Sequence, residues 1–229
     1  MSKDTHFSPS LFKFLRQLRR NNDREWFRAN KHRYESDVRD PLVGFITAFG
    51  PRLHKISPRF VADPSPVGGS MFRIYRDTRF SRDKSPYKTM ATAQFRHEEG
   101  KDVHAPGFYL HLEPGNVFVG AGLWHPDTRT QAKIREAIVE HPTRWKRAIS
   151  GKSFRQKCLL AGDALKRPPR GYDAEHPLIE DLKRKDFIAV TSFDERTTCS
   201  REFMSHFVRA CRAASPLVQF LTEALGLAY

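Results

Sequence analysis

The stretch GFYLHLEPGNVFVGAGLW, residues 107–124, contains two runs in which apolar residues recur at every second position. That period is typical of a β-strand with one buried face. Pro114, Gly115 and Asn116 separate the two runs, and these residue types favour a tight turn. The stretch therefore predicts an antiparallel β-hairpin, with strands at 107–112 and 117–124.

Three further segments show the same alternation, at 71–76, 89–96 and 187–193. The strands of the central region follow one another without intervening helices, which favours an antiparallel arrangement. The sequence thus predicts an α+β fold, in which an antiparallel β-sheet of about five strands is covered by N-terminal, middle and C-terminal helices. No internal repeat or long linker divides the 229 residues, so we expect a single domain, residues 1–229.

Helical periodicity flanks the strand region on both sides. Pro9 is typical of the first position of a helix. Asn22 and Glu25 have the spacing of a capping box for a second helix, and Pro41 is expected to start a third. The amphipathic C-terminal segment is expected to break at Pro216.

The composition favours a protein that attracts polyanions. Lys and Arg number 40 against 26 acidic residues, which gives a formal net charge of +14. The three cysteines form no CxxC pair, so free thiols in a reducing compartment are expected. Because no apolar run approaches the length of a membrane helix, we expect a soluble, cytoplasmic protein with no membrane partner. The oligomeric state is left open.

The most basic segment is FRIYRDTRFSRDKSPYKT, residues 72–89, which carries six Lys and Arg side chains and two Asp side chains. Alternation along its first residues predicts that Phe72 and Ile74 face the helices. Arg73 and Tyr75 would then line the opposite face or a cleft.

A loop is expected after this strand, pre-ordered by Pro86 and anchored by Phe80 and Tyr87. Its guanidinium and ammonium groups suit a phosphate or carboxylate. The predicted anion-binding residues are Arg73, Arg76, Arg79, Lys84, Tyr87 and Lys88. Asp77 would orient an Arg. In the alternative interpretation, Asp77 and Asp83 neutralise neighbouring Arg residues, and the loop is a solvated turn.

Other patterns are weaker. Tyr109 and His111 share a face of one strand, where a histidine near cations could act as a general acid or base. Gly120 and Gly122 could leave a groove, although such glycines more often permit close packing. Residues 144–170 carry nine Lys or Arg, either as a nucleic-acid surface or as solvated helix faces. We find no metal-ligand spacing and no cofactor motif, and therefore predict neither a metal nor a cofactor.

Four stretches together resemble an uncharacterised family, domain of unknown function 2461. They are FLRQLRRNNDREWFRANKHRYE, FRIYRDTRFSRDKSPYKT, PGFYLHLEPGNVFVGAGLWHPD and RPPRGYDAEHPLIEDLKRKDF, between residues 14 and 187. The resemblance implies no particular activity. It places Asn22, Trp26 and Lys31 in the family's N-terminal motif, and Arg73, Arg76, Asp77, Arg79, Lys84, Tyr87 and Lys88 in its central one.

Two functions lead among the three that fit these observations, and the third is an interaction unit for an acidic protein partner. The first is binding of a phosphate-bearing polymer, nucleic acid above all, through the loop at 72–89. The second is an enzyme that acts on a small phosphorylated or carboxylated metabolite held by the same cations. The spread of basic residues over 11–33, 72–89 and 144–170 favours the first.

Overall fold

The computed structural model describes residues 5–65, 67–100 and 105–229. The helices are α1 (Pro9–Arg20), α2 (Arg24–Ala29), α3 (Lys31–Tyr34), α4 (Asp40–His54), α5 (Thr128–Glu140), α6 (Pro142–Ser150), α7 (Lys152–Lys157), α8 (Ile179–Leu182), α9 (Glu195–Thr198) and α10 (Phe203–Ala224). A π-helical turn, Glu35–Arg39, joins α3 to α4. The strands are β1 (Ala91–Arg96), β2 (Gly107–Glu113), β3 (Asn116–Leu123), β4 (Leu159–Ala161) and β5 (Phe187–Phe193).

The five strands form one antiparallel sheet in the order β1-β2-β3-β5-β4. The hairpin of β2 and β3 pairs Glu113 with Asn116, and Gly115 occupies the turn with a φ of +79°. A positive φ is available to glycine at little cost, which explains its place there. The predicted α+β fold with a five-stranded antiparallel sheet is confirmed.

One predicted strand is wrong, and one strand was missed. Residues 71–76 make only isolated bridges, from Met71 to Ala93 and from Tyr75 to Tyr87. The chain follows β1 briefly, with the Phe72 N–H donating to Thr92 O, and then turns so that Ile74 enters the core. The fifth strand is instead β4, whose three residues are too short to show a period of two.

Helices α4 and α10 cover one face of the sheet. In β2 the fully buried side chains Phe108, Leu110 and Leu112 point to this face. Phe95 of β1 packs against both helices. Its ring centre lies 4.7 Å from that of Phe49 in α4 and 5.9 Å from that of Phe207 in α10. The opposite face of β2 carries Tyr109, His111 and Glu113, because successive strand residues alternate between faces.

Two helix predictions need correction, whereas Pro41 lies in the first turn of α4, as predicted, directly after the π-helical turn. Asp23, not Asn22, caps α2, and its carboxylate accepts the Trp26 N–H at 2.8 Å. α10 continues through Pro216, which has no N–H for the carbonyl four residues earlier. The Ser215 hydroxyl donates to that carbonyl, Arg212 O, at 2.9 Å.

In the described ranges, no helix is both long and apolar enough to cross a membrane. The three cysteines are free thiols; Cys158 and Cys211 are buried and Cys199 is partly buried.

Candidate functional site

The basic segment, residues 72–89, folds back on itself as a short hairpin, which we call the basic hairpin. The Arg76 N–H donates to Pro86 O at 2.9 Å, and the Lys88 N–H donates to Ile74 O at 2.7 Å. The Arg76–Pro86 bond closes a largely exposed loop of residues 77–85. The loop therefore projects from a base with defined backbone pairing.

The turn between α1 and α2 holds the base of the hairpin. The Asn22 side chain donates to Tyr87 O at 2.9 Å and accepts from the Tyr87 N–H at 3.1 Å. The Tyr87 ring is buried and stacks on Phe27, with centres 4.0 Å apart and planes 19° apart. Asn22 is available for this role because the neighbouring Asp23 caps the helix.

Two of the predicted anion-binding cations are paired with carboxylates of the same loop. Arg76 forms an ion pair with Asp83, and Arg79 Nη2 lies 2.7 Å from Asp77 Oδ2. Hydrogen bonds from Arg79 lower the pKa of Asp77 to about 2. Hydrogen bonds from Ser85 and then from Arg76 lower the pKa of Asp83 to about 2. The alternative interpretation thus describes these two pairs correctly.

The other cations of the hairpin form no ion pair among the residues described, although the charge of Arg73 contributes to the lowered pKa of Asp77. They are Arg73, Arg82, Lys84 and Lys88. Lys84 Nζ donates to Thr78 O at 2.9 Å, and Lys88 Nζ lies 5.4 Å from the centre of the Phe72 ring. Burial, followed by the charge of Arg73, lowers the pKa of Lys88. Arg73 and Lys88 therefore lie close enough to repel, and a bound anion would relieve that repulsion.

The tip of the loop carries an exposed aromatic ring. Phe80 was expected to anchor the loop, but its side chain is 96% exposed, so that prediction is wrong. The Arg79 guanidinium carbon lies 5.9 Å from the centre of its ring. Tyr75, at the base of the hairpin, is also exposed, with its ring 5.4 Å from that of Tyr87. Anchoring falls instead to Tyr87, as predicted.

Helix α2 adds two cations that the sequence analysis did not single out. Burial raises the pKa of Tyr87, whereas the charges of Arg24 and Arg28 lower it, which places both groups near the hairpin base. Both are exposed and neither forms an ion pair within the described part of the chain. Their proximity depends on the contact between Phe27 and Tyr87, which no sequence spacing reveals.

The other predicted supporting residues lie elsewhere. Trp26 packs against Phe14 in the N-terminal core, with ring centres 5.6 Å apart. Lys31 is exposed at the start of α3, and no described hydrogen bond or ion pair joins it to the hairpin. Tyr109 contacts the hairpin through Phe72, with ring centres 6.3 Å apart, rather than through Arg73 or Tyr75.

Tyr109 and His111 belong to a chain of hydrogen bonds on the face of β2 that points away from α10. The Tyr109 hydroxyl lies 3.1 Å from His111 Nδ1, and His111 Nε2 lies 3.1 Å from Glu113 Oε2. Arg19 of α1 donates to the other oxygen of Glu113 at 2.6 Å. His111 is buried and its ring stacks on Phe118, so its nearest charged partner is a carboxylate and not the hairpin cations.

The segment 144–170 has its aromatic side chains turned inward. Trp145 is fully buried, with its ring 5.2 Å from that of Phe220, and Phe154 is also buried. The basic residues of α6 and α7 lie outside, so this surface offers charge without those rings.

Close packing explains one of the two glycines of β3. A Cβ on Gly122 would lie 2.1 Å from Phe187 O, whereas one on Gly120 would make only an ordinary contact with Tyr109, at 3.5 Å. Within the described residues, no three His, Cys, Asp or Glu side chains are grouped to hold a metal ion.

Comparison with known proteins identifies the family. The family model described as "Conserved hypothetical protein (DUF2461)" matches residues 10–220, and the chain belongs to this family. No curated protein matches the chain, and no solved structure matches it.

Proposed function

We propose that this member of the family binds single-stranded nucleic acid through the basic hairpin and the adjoining surface of α2. Unpaired bases would stack on the exposed rings, and phosphates would lie against the hairpin cations that form no ion pair within the described residues. Such a combination of aromatic rings and basic side chains is typical of proteins that bind single strands with little sequence preference.

The observation that carries this proposal is the position of Phe80. An almost fully exposed Phe in a loop contributes nothing to the core. In the sequence, Arg79 precedes it and Arg82 follows two residues later. A nucleobase would cover it, and stacking on an aromatic side chain contributes about 1–3 kcal/mol per base. Backbone phosphates would be within reach of Arg82 and Lys84, which follow Phe80 in the same loop.

The open geometry also favours a polymer over a small metabolite. An enzyme for a small anion needs its cations around a concavity. Here the Arg79 side chain is 77% exposed, and Arg82 and Lys84 are exposed as well. An extended ligand can lie along such a surface, and the net charge of +14 would speed its association.

A binding titration tests the proposal. We expect a fluorescein-labelled single-stranded oligonucleotide to bind the wild-type protein at low salt, as measured by fluorescence anisotropy. Phe80→Ala should raise Kd by roughly 5- to 150-fold, because a stacking contact is lost. Phe80→Trp should retain the affinity, since an indole also stacks.

Leu159→Ala provides the matched control. Leu159 is another exposed apolar side chain, at the start of β4, and its loss should leave Kd unchanged. The proposal fails if RNA and DNA single strands do not bind at low salt. It also fails if Phe80→Ala binds as tightly as Leu159→Ala, or if a duplex binds more tightly than either single strand.

A further inference from the structure

The turn that follows β3 places His125 against a carboxylate 61 residues later in the chain. His125 Nδ1 lies 2.9 Å from Asp186 Oδ1, and the His125 N–H donates to the same oxygen at 2.7 Å. The second oxygen, Asp186 Oδ2, accepts the Asp163 N–H at 2.8 Å. Asp186 is only 2% exposed, whereas the His125 side chain is 51% exposed. One edge of the imidazole is therefore fixed, while about half of the side chain is exposed.

The backbone is strained to make this arrangement. His125 has a φ of +49°, the only positive φ outside glycine among the described residues. Pro126 follows it, and a residue before proline prefers an extended conformation. Such strain costs about 1–3 kcal/mol and is concentrated at functional sites.

A glycine closes the other side of the carboxylate. Gly162 has a φ of +95°, and a Cβ there would lie 2.4 Å from Asp186 Cβ. Asp186 is thus enclosed by backbone from two loops, one after β3 and one after β4. This enclosure fixes the carboxylate while His125 remains at the surface.

The hydrogen bonds determine which nitrogen carries the proton. Burial raises the pKa of Asp186, but hydrogen bonds from the Asp163 and His125 backbones and from the His125 ring outweigh it, and the pKa is lowered. A charged carboxylate accepts hydrogen bonds only, so Nδ1 of His125 is the protonated nitrogen of the neutral ring. The lone pair is then on Nε2, away from Asp186.

The surroundings favour a substrate with a planar group. The Trp124 ring is 56% exposed and stacks on the His125 ring, with centres 4.0 Å apart. An exposed aromatic ring beside the dyad offers an apolar surface against which a planar carboxylic ester can pack.

We propose that His125 and Asp186 form an acid–base dyad, in which His125 Nε2 is the catalytic base for hydrolysis of a carboxylic ester and Asp186 is its positioning residue. Nε2 takes a proton from water as the water oxygen attacks the carbonyl carbon. The tetrahedral intermediate expels the alkoxide, which takes the proton from Nε2, so that ester and water give acid and alcohol. Asp186 stabilises the transient imidazolium. This activity goes beyond nucleic-acid binding and does not depend on it.

Hydrolysis of p-nitrophenyl acetate tests the role of His125. His125→Asn should fold, because Asn tolerates a positive φ. It should lower the rate per protein about tenfold or more, since a positioned base contributes at least that much. His54→Asn, which changes an exposed histidine at the end of α4, should leave the rate unchanged. A rate in His125→Asn within twofold of the wild type, or an equal loss in His54→Asn, would overturn the proposal.

Nitrogen-15 NMR of the wild-type protein tests the role of Asp186 without any variant. The neutral His125 ring should show a protonated Nδ1 and an unprotonated Nε2 that is hydrogen-bond free. Asp186→Asn should move the ring towards the Nε2–H form and slow the hydrolysis by a similar factor. An Nε2–H tautomer in the wild-type protein would overturn the assignment even if Asp186→Asn does not fold.

Discussion

Asp77 and Asp83 illustrate how single residues set the charge of the basic hairpin. Each carboxylate accepts hydrogen bonds from its own loop, and together they neutralise Arg79 and Arg76. Residues 72–89 hold six cations and two carboxylates, so four cations remain whichever Arg each Asp meets. Which four remain depends on the pairing. The positive surface is thus defined by Arg73, Arg82, Lys84 and Lys88 more than by the loop as a whole.

A titration of these two carboxylates is expected to show midpoints near pH 2, against the ordinary 3.8. Because the folded pKa values are lowered, their contribution to stability is present above about pH 4 and is lost as the pH falls towards 2. Carbon-13 NMR of the side-chain carboxyls measures the midpoints. Arg79→Gln should raise the midpoint of Asp77 and leave that of Asp83 in place. Two midpoints near 3.8 in the wild-type protein would contradict the ion pairs.

At the scale of elements, α10 shows how a helix can contain proline. Pro216 leaves Arg212 O without its helical donor, and the Ser215 hydroxyl donates in its place. Buried side chains on both sides of the proline, including Phe207 and Leu217, hold the helix against the sheet. Helix propensity alone predicts a break here, and packing overrides it.

A double-mutant cycle measures this compensation. Ser215→Ala should lower the free energy of unfolding by about 0.5–1 kcal/mol, since one hydrogen bond is lost. In a Pro216→Ala background the new N–H supplies the missing donor, so the same substitution should cost almost nothing. Urea denaturation gives the four free energies. Strictly additive effects would show that the Ser215 hydroxyl does not replace the helical bond.

At the scale of the whole molecule, the distribution of the +14 charge determines how nucleic acid would bind. If phosphates contact the hairpin, removing two of its cations should change the salt dependence, and removing two distant ones should not. One double variant carries Arg82→Gln and Lys84→Gln. The control double variant carries Arg147→Gln and Arg155→Gln, at exposed positions of α6 and α7. The first pair should make the slope of log K against log salt shallower by roughly 1.4. Equal changes for both pairs would indicate attraction to the net charge alone.

Periodicity in the sequence predicted most of the sheet but little of the contacts between distant segments. The β2–β3 hairpin followed from alternation and turn residues, because both are local properties. The alternation at 71–76 misled, since Ile74 is buried although this segment makes only isolated bridges. The exposure of Phe80 depends on how far the loop projects, which its composition does not encode.

The candidate sites were predicted unevenly for the same reason. The cations of the hairpin could be identified from their density in one segment. Arg24 and Arg28 join them only because Phe27 stacks on Tyr87. The pairing of His125 with Asp186 spans two loops, and no spacing within either loop indicates it.

The two hydrogen bonds between Asn22 and the backbone of Tyr87 have a consequence for motion. They fix the base of the basic hairpin to the turn between α1 and α2. The base of the hairpin therefore cannot move away from the helices unless these bonds break. Amide exchange at Tyr87 should then follow sub-global unfolding and not loop fluctuation. A ligand would then bind a hairpin whose base is already ordered in the free protein, so binding would lose less conformational entropy there.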